Sequence, residues 1–102
     1  MFVLDTNVLS AVMGSRPAPE AAAWVAAQPE ERLFTTAVCQ AEILAGVEIL
    51  PEGRRRRAGR PTATFDLIIA SVARATGATM VTRNTADFEG CGLTLVNPWE
   101  AP

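Results

Sequence analysis

Apolar residues fall in short runs along this chain, and an acidic or small polar residue closes most of them. Phe2-Val3-Leu4 ends at Asp5. The run is β-capable and too short for a helix, so it predicts a buried strand. Thr6 and Asn7 then suit the cap of a helix over Val8 to Met13, and Gly14-Ser15-Arg16-Pro17 reads as a loop. Pro19 and Glu20 fit the first turn of a second helix reaching Ala27, with Trp24 as its core contact. Leu33 to Thr36 predicts a second strand. Cys39, Ile43, Gly46, Val47 and Leu50 recur at three- and four-residue spacing, which is one face of a helix over Ala37 to Leu50. Glu42 borders that face. Pro51-Glu52-Gly53 ends the helix, and Arg54 to Pro61 is a charged connector. Thr62 or Thr64 can cap a fourth helix over Phe65 to Thr76, closed by Gly77. Thr79 to Thr82 and Leu93 to Val96 predict the third and fourth strands, with Gly90 and Gly92 in the loop between them.

Strands that alternate with helices predict a parallel α/β sheet. In such sheets ligands bind beyond the C-terminal ends of the strands. The three aspartates of the chain sit at such edges. Asp5 ends strand one, Asp66 opens the fourth helix, and Asp87 with Asn84 follows strand three. Glu42 can join them if its helix is suitably angled. Aspartate is disfavoured inside helices and strands, so its gathering at the ends of buried elements points to an acidic pocket for a hard cation. Bland readings compete. Asp5 and Asp66 also suit helix N-termini, Glu42 taken alone reads as a solvated helix residue, and Asp87 serves equally well in a turn.

Composition narrows the chemistry. The length of 102 residues suits one domain spanning residues 1–102, and 49% hydrophobic with 20% charged residues are globular values. No apolar run reaches the roughly 20 residues of a membrane-spanning helix, and no basic region precedes the first apolar run, so neither membrane nor export is expected. Histidine and tyrosine are absent and all nine basic residues are arginine. Histidine-based nucleophilic catalysis and zinc binding through histidine are therefore excluded. Acid–base work is left to carboxylates, water or a metal. A net charge of −2 excludes a broad basic surface but permits a local one, because Arg54 to Arg57 and Arg60 cluster. The same run reads as the solvated end of a helix. Trp24 and Trp99 could stack on bases, although packing is the simpler role for both. Cys39 and Cys91 match no metal or redox spacing, and Cys39 reads as core.

Magnesium and manganese take oxygen ligands. A few carboxylates holding such an ion suffice for phosphodiester hydrolysis without histidine. FVLDTNVLS, TTAVCQAEILAGVEILPEGRRRR, GRPTATFDLIIASVARATGA and TMVTRNTADFEGCGLTLVNPW, in that order, resemble the PIN-domain family, and more narrowly its toxin ribonucleases of the VapC/FitB type. The resemblance covers nearly the whole chain. It implies a three-layer α/β sandwich, with a central, mainly parallel sheet of about four strands flanked by helices. It also implies a cytoplasmic Mg2+-dependent endoribonuclease (Mn2+ as the alternative ion), usually a homodimer. Such a protein is the toxin of a toxin–antitoxin pair, held by a VapB/FitA-like antitoxin that also binds operator DNA. The family's acids map onto Asp5, Glu42 and Asp66, with Asp5 and Asp66 as metal ligands. The fourth acidic position falls at Asn84, with Asp87 beside it. Thr6, Asn7, Thr82 and Asn84 become groups that orient acids or water. Arg54, Arg55 and Arg83 become candidate contacts to RNA phosphate.

The chain departs from the family in one region. Relatives of this type carry roughly 30 or more additional residues, about one crossover unit, between the arginine run and GRP. Here Arg57-Ala58-Gly59-Arg60 joins the two directly. The acid motifs survive such a deletion, and four strands can still pair. The lost helices would leave apolar surface exposed or shift the dimer contact. A second reading follows: a catalytically impaired remnant that binds an antitoxin without cleaving RNA. An aspartyl phosphatase is a third, opposed by the absence of the lysine such enzymes usually need.

Overall fold

The structure is a computed structural model that describes residues 1–44 and 62–100, with the backbone alone for 62–65. Four strands, β1 (Phe2–Leu4), β2 (Leu33–Phe34), β3 (Thr79–Val81) and β4 (Leu95–Val96), form one sheet in the order β2-β1-β3-β4. Every neighbouring pair is parallel. The helices are α1 (Thr6–Met13), α2 (Pro19–Ala27), α3 (Ala37–Leu44) and α4 (Thr62–Thr76). The parallel α/β expectation is met. No described helix is long and apolar enough to cross a membrane.

Strand register explains why there are helices on both sides. Val3 pairs with Met80 and Met80 with Leu95, while Leu4 pairs with Val81 and Val81 with Val96. Successive side chains point to opposite faces. Val3, Met80 and Leu95 therefore join one core with Cys39 of α3 and Ile69, Ala70 and Ala73 of α4. Phe2, Leu4, Val81 and Val96 face the other way and join Val8 of α1 and Trp24 and Val25 of α2. Trp24 meets Phe2 edge-on, with ring centres 5.1 Å apart at 82°. That is the packing role expected of it.

The chain leaves β1 for β2 on one side and returns to β3 on the other, so the switch point of the sheet lies between β1 and β3. Sheets of this kind bind ligands at that point, beyond the C-terminal ends of the strands, where Asp5 and Thr82 follow their strands directly.

Several element ends differ from expectation. Asp5, rather than Thr6 or Asn7, caps α1, and both of those residues lie inside or at the start of the helix. β2 stops at Phe34 because Thr36 caps α3: its Oγ1 accepts from Cys39 N–H at 3.1 Å and its carbonyl from Gln40 N–H at 3.1 Å. Helix α4 starts at Thr62, so Thr62 and Thr64 belong to its first turn. β3 ends at Val81 and β4 begins at Leu95. The expected second half of the third helix, and the connector beyond it, lie outside the described residues. Leu44, Leu67, Ile68 and Val72 are large apolar residues exposed on α3 and α4.

Gly77 closes α4 in the left-handed region (φ 69°). Ala78 N–H reaches Ala73 O at 2.9 Å and Gly77 N–H reaches Arg74 O at 3.3 Å, which satisfies the last carbonyls of the helix. A Cβ at Gly77 would meet nothing within 4 Å, so Gly77→Ala costs only backbone strain. We expect about 1–2 kcal/mol, read as a lower midpoint in urea with an unchanged slope.

Candidate functional site

Asp5 is the hub of the switch point. Its backbone N–H completes the β1–β3 ladder by donating to Val81 O at 2.9 Å. Its side chain is 4% exposed. Oδ1 accepts from Thr6 N–H at 2.8 Å, the cap of α1. Oδ2 accepts from the Thr82 hydroxyl at 2.8 Å and from Asn7 Nδ2 at 3.3 Å. Capping and site geometry are thus two uses of one carboxylate. The first turn of α1 must start at the strand end, and the same turn brings Thr6 and Asn7 around Asp5.

Thr82 is fully buried. Besides donating to Asp5, its oxygen accepts from Asn7 Nδ2 at 3.3 Å and Asn84 N–H at 3.1 Å. Asn7 Oδ1 in turn accepts from Arg83 N–H at 3.2 Å. The residues after β1 and after β3 are therefore laced together across the switch point, and the Asp5 carboxylate is held in one orientation.

Glu42 is 4% exposed, so the solvated-helix alternative is set aside. Two contacts bring it in. Cys39, one turn earlier on α3, points its thiol at the Leu4 carbonyl at 3.6 Å. Glu42 Oε1 accepts from the Thr6 hydroxyl at 2.9 Å. Thr6 thereby joins the two acids, its N–H on Asp5 and its hydroxyl on Glu42. The other oxygen, Glu42 Oε2, receives no hydrogen bond from a described residue. A buried carboxylate in an all-oxygen donor set fits a hard divalent cation. Removing the hydroxyl tests the bridge. Thr6→Val should cost about 1–3 kcal/mol, because it strands a buried acceptor, and Thr6→Ser should recover most of it. Thermal unfolding of the two variants is the measurement.

Asp66 is half-buried on α4, which packs against α3. Among the described residues, no three acidic or thiol side chains stand close enough together to hold one ion. Asp87 is exposed in a 3-10 turn over Thr85–Phe88, and its backbone N–H donates to Asn84 O at 3.1 Å. The turn role is the one these contacts display. Asn84 is exposed and meets Thr82 through its backbone. Arg83 is exposed, with its guanidinium over Trp99. Arg54 and Arg55 lie outside the described residues. Both cysteines are free thiols. Sequence reading missed the Cys39 thiol link and the part played by Asn97 and Trp99 around Arg83. The three-residue spacing of Cys39 and Glu42 was the available signal for the first.

Comparisons with known proteins agree with this architecture. A PIN domain family model matches residues 2–62. The plasmid stability protein StbB of Pseudomonas syringae is 31% identical, over 99% of this chain and 100% of its own. The VapC ribonuclease Y4jK of Sinorhizobium fredii is 32% identical, over 98% and 99% respectively. Among solved structures, that of FitAcB from Neisseria gonorrhoeae aligns with a TM-score of 0.77 at 25% identity, over 99% of this chain and 100% of that one. The alignments with StbB and Y4jK run to 139 positions against 102 residues here, so at least 37 positions (139 less 102) face no residue of this chain. That agrees with an internal deletion. The parallel sheet, the acids at its switch point and these similarities lead to one assignment: the chain belongs to the PIN-domain family, among proteins of the VapC type.

Proposed function

We propose that this chain is a Mg2+- or Mn2+-dependent endoribonuclease that serves as the toxin of a toxin–antitoxin pair. The observation that carries the reading is the Asp5–Thr6–Glu42 bridge at the switch point, in a chain similar to a protein named as a VapC ribonuclease. Asp5 and Asp66 would hold the ion, with Glu42 as a further oxygen donor. Magnesium keeps several waters, so it needs no enclosing cage of side chains. When bound, the ion supplies positive charge beside the phosphate and makes water more acidic.

The chain's own residues do the positioning. Thr82 and Asn7 fix the rotamer of Asp5, and Thr6 fixes Glu42. Held this way, the carboxylates need little reorganisation as charge develops at the phosphate. Arg83 at the rim, with Arg54 and Arg55, would contact RNA phosphate. A small antitoxin and a second copy of the chain are the proposed partners, and the cytoplasm the proposed compartment.

Incubation of a mixed RNA pool with the purified protein tests the reading. We expect cleavage with magnesium or manganese, none with chelator, and none from Asp66→Asn. Absence of cleavage by a folded protein would overturn it in favour of the antitoxin-binding remnant.

A further inference from the structure

Arg83 is held from both sides at the rim of the acidic site. Its N–H donates to Asn7 Oδ1 at 3.2 Å, and Asn7 Nδ2 donates to Asp5 Oδ2 at 3.3 Å. A single side chain thus separates Arg83 from Asp5. On the other side, Asn97 Nδ2 donates to the Arg83 carbonyl at 3.2 Å, and Trp99 N–H donates to Asn97 Oδ1 at 2.9 Å. The guanidinium carbon lies 4.7 Å from the centre of the Trp99 ring. Pro98, between these two residues, is fully buried, and Trp99 packs against the core of Leu4, Val8 and Val81. The segment Asn97-Pro98-Trp99 is therefore anchored under the strand ends that carry Asp5 and Thr82. It holds Arg83 by its backbone and by its side chain.

An exposed arginine ordinarily loses much rotamer freedom when it binds. A guanidinium already stacked on an indole has given up part of that freedom, yet it keeps in-plane donors for a phosphate. We propose that Trp99 is a positioning residue that presets Arg83 as a clamp on a backbone phosphate of single-stranded RNA beside the cleavage site. This rests on the ribonuclease reading above. It assigns the C-terminal segment a part in substrate affinity, and it separates that part from chemistry at the acids. A Trp99 that only packs would affect stability and leave affinity unchanged.

The experiment measures binding of a labelled single-stranded oligoribonucleotide to the full chain in chelator, beside cleavage of the same RNA with magnesium. Trp99→Leu should raise both Kd and KM about two- to fivefold, the scale of an exposed cation–π contact, with kcat nearly unchanged. Trp99→Phe should recover most of the affinity. Arg83→Gln should lose at least as much as Trp99→Leu, and the double variant no more than Arg83→Gln alone, since Trp99 acts through Arg83. In a Trp24→Phe background the emission comes from Trp99 alone. It should change on RNA binding and stay constant in Arg83→Gln, which gives a readout even if Trp99→Leu fails to fold. Wild-type affinity in folded Trp99→Leu, additive losses in the double variant, or unchanged Trp99 emission would each overturn the clamp while leaving the nuclease reading standing. A wild-type chain that neither binds nor cleaves RNA would overturn both.

Discussion

Asp5→Asn should reduce metal-dependent RNA cleavage by about a thousandfold or more, while the protein stays folded. The magnitude follows from the several kcal/mol that a correctly held ion contributes to charge stabilisation, at about 1.4 kcal/mol per tenfold in rate. Asparagine has nearly the same shape as aspartate and is as good an N-cap. Its Oδ1 can keep the bond from Thr6 N–H that starts α1. What changes lies on the other oxygen. An amide there presents N–H groups to Asn7 Nδ2, which now donates to it, and two donors repel. The Thr82 hydroxyl already accepts from Asn7 and Asn84, so it takes a bond from the new amide only by giving one of these up. The net effect is a lost charge and a loosened rim with the fold intact. Cleavage kinetics beside thermal unfolding would separate the two. A variant that melts like wild type and still cleaves would remove Asp5 from the metal site.

Ile69→Ala should be among the most destabilising single truncations. Ile69 is fully buried on the inner face of α4, in the core that also holds Val3, Met80 and Phe88. Truncating a core isoleucine costs about 2–5 kcal/mol, because the neighbours close the cavity only in part. For a domain this small the loss corresponds to a fall in Tm of roughly 10–20 °C, and it is a large share of a total stability of about 5–15 kcal/mol. Ile69→Val should cost only about 0.5–1.5 kcal/mol. Calorimetry on both decides the matter. Equal and small losses would show that α4 is not seated on this face of the sheet. The consequence reaches function, since α4 carries Asp66.

Much of the fold was legible because strands and helices announce themselves through local periodicity. Phe2-Val3-Leu4, the Pro19 start of α2 and the Gly77 stop of α4 are set by residues close to them in the chain. Element ends were less legible, since they depend on who claims a polar group. Thr36 reads as a strand residue until its hydroxyl is seen accepting from Cys39. The site followed the same division. The aspartate at the end of β1 could be picked out from its place in the pattern, as could the PIN-domain resemblance that marked Glu42. Burial of Glu42 could not be read this way, because it depends on how α3 lies across the β1–α1 junction, drawn in by Cys39 on Leu4 and Thr6 on Glu42.

The sequence by itself determined the alternation of elements, the absence of any histidine chemistry, and which acids are candidates for the site. The tertiary structure decided which of those acids share a partner and how each is held. It also placed Asp87 at the surface and Arg83 on Trp99. The physical reason is range. Propensity and periodicity act over one or two helical turns. The bonds that build the site join residues as far apart as Asp5 and Thr82, and only the pairing of β1 with β3 brings those together.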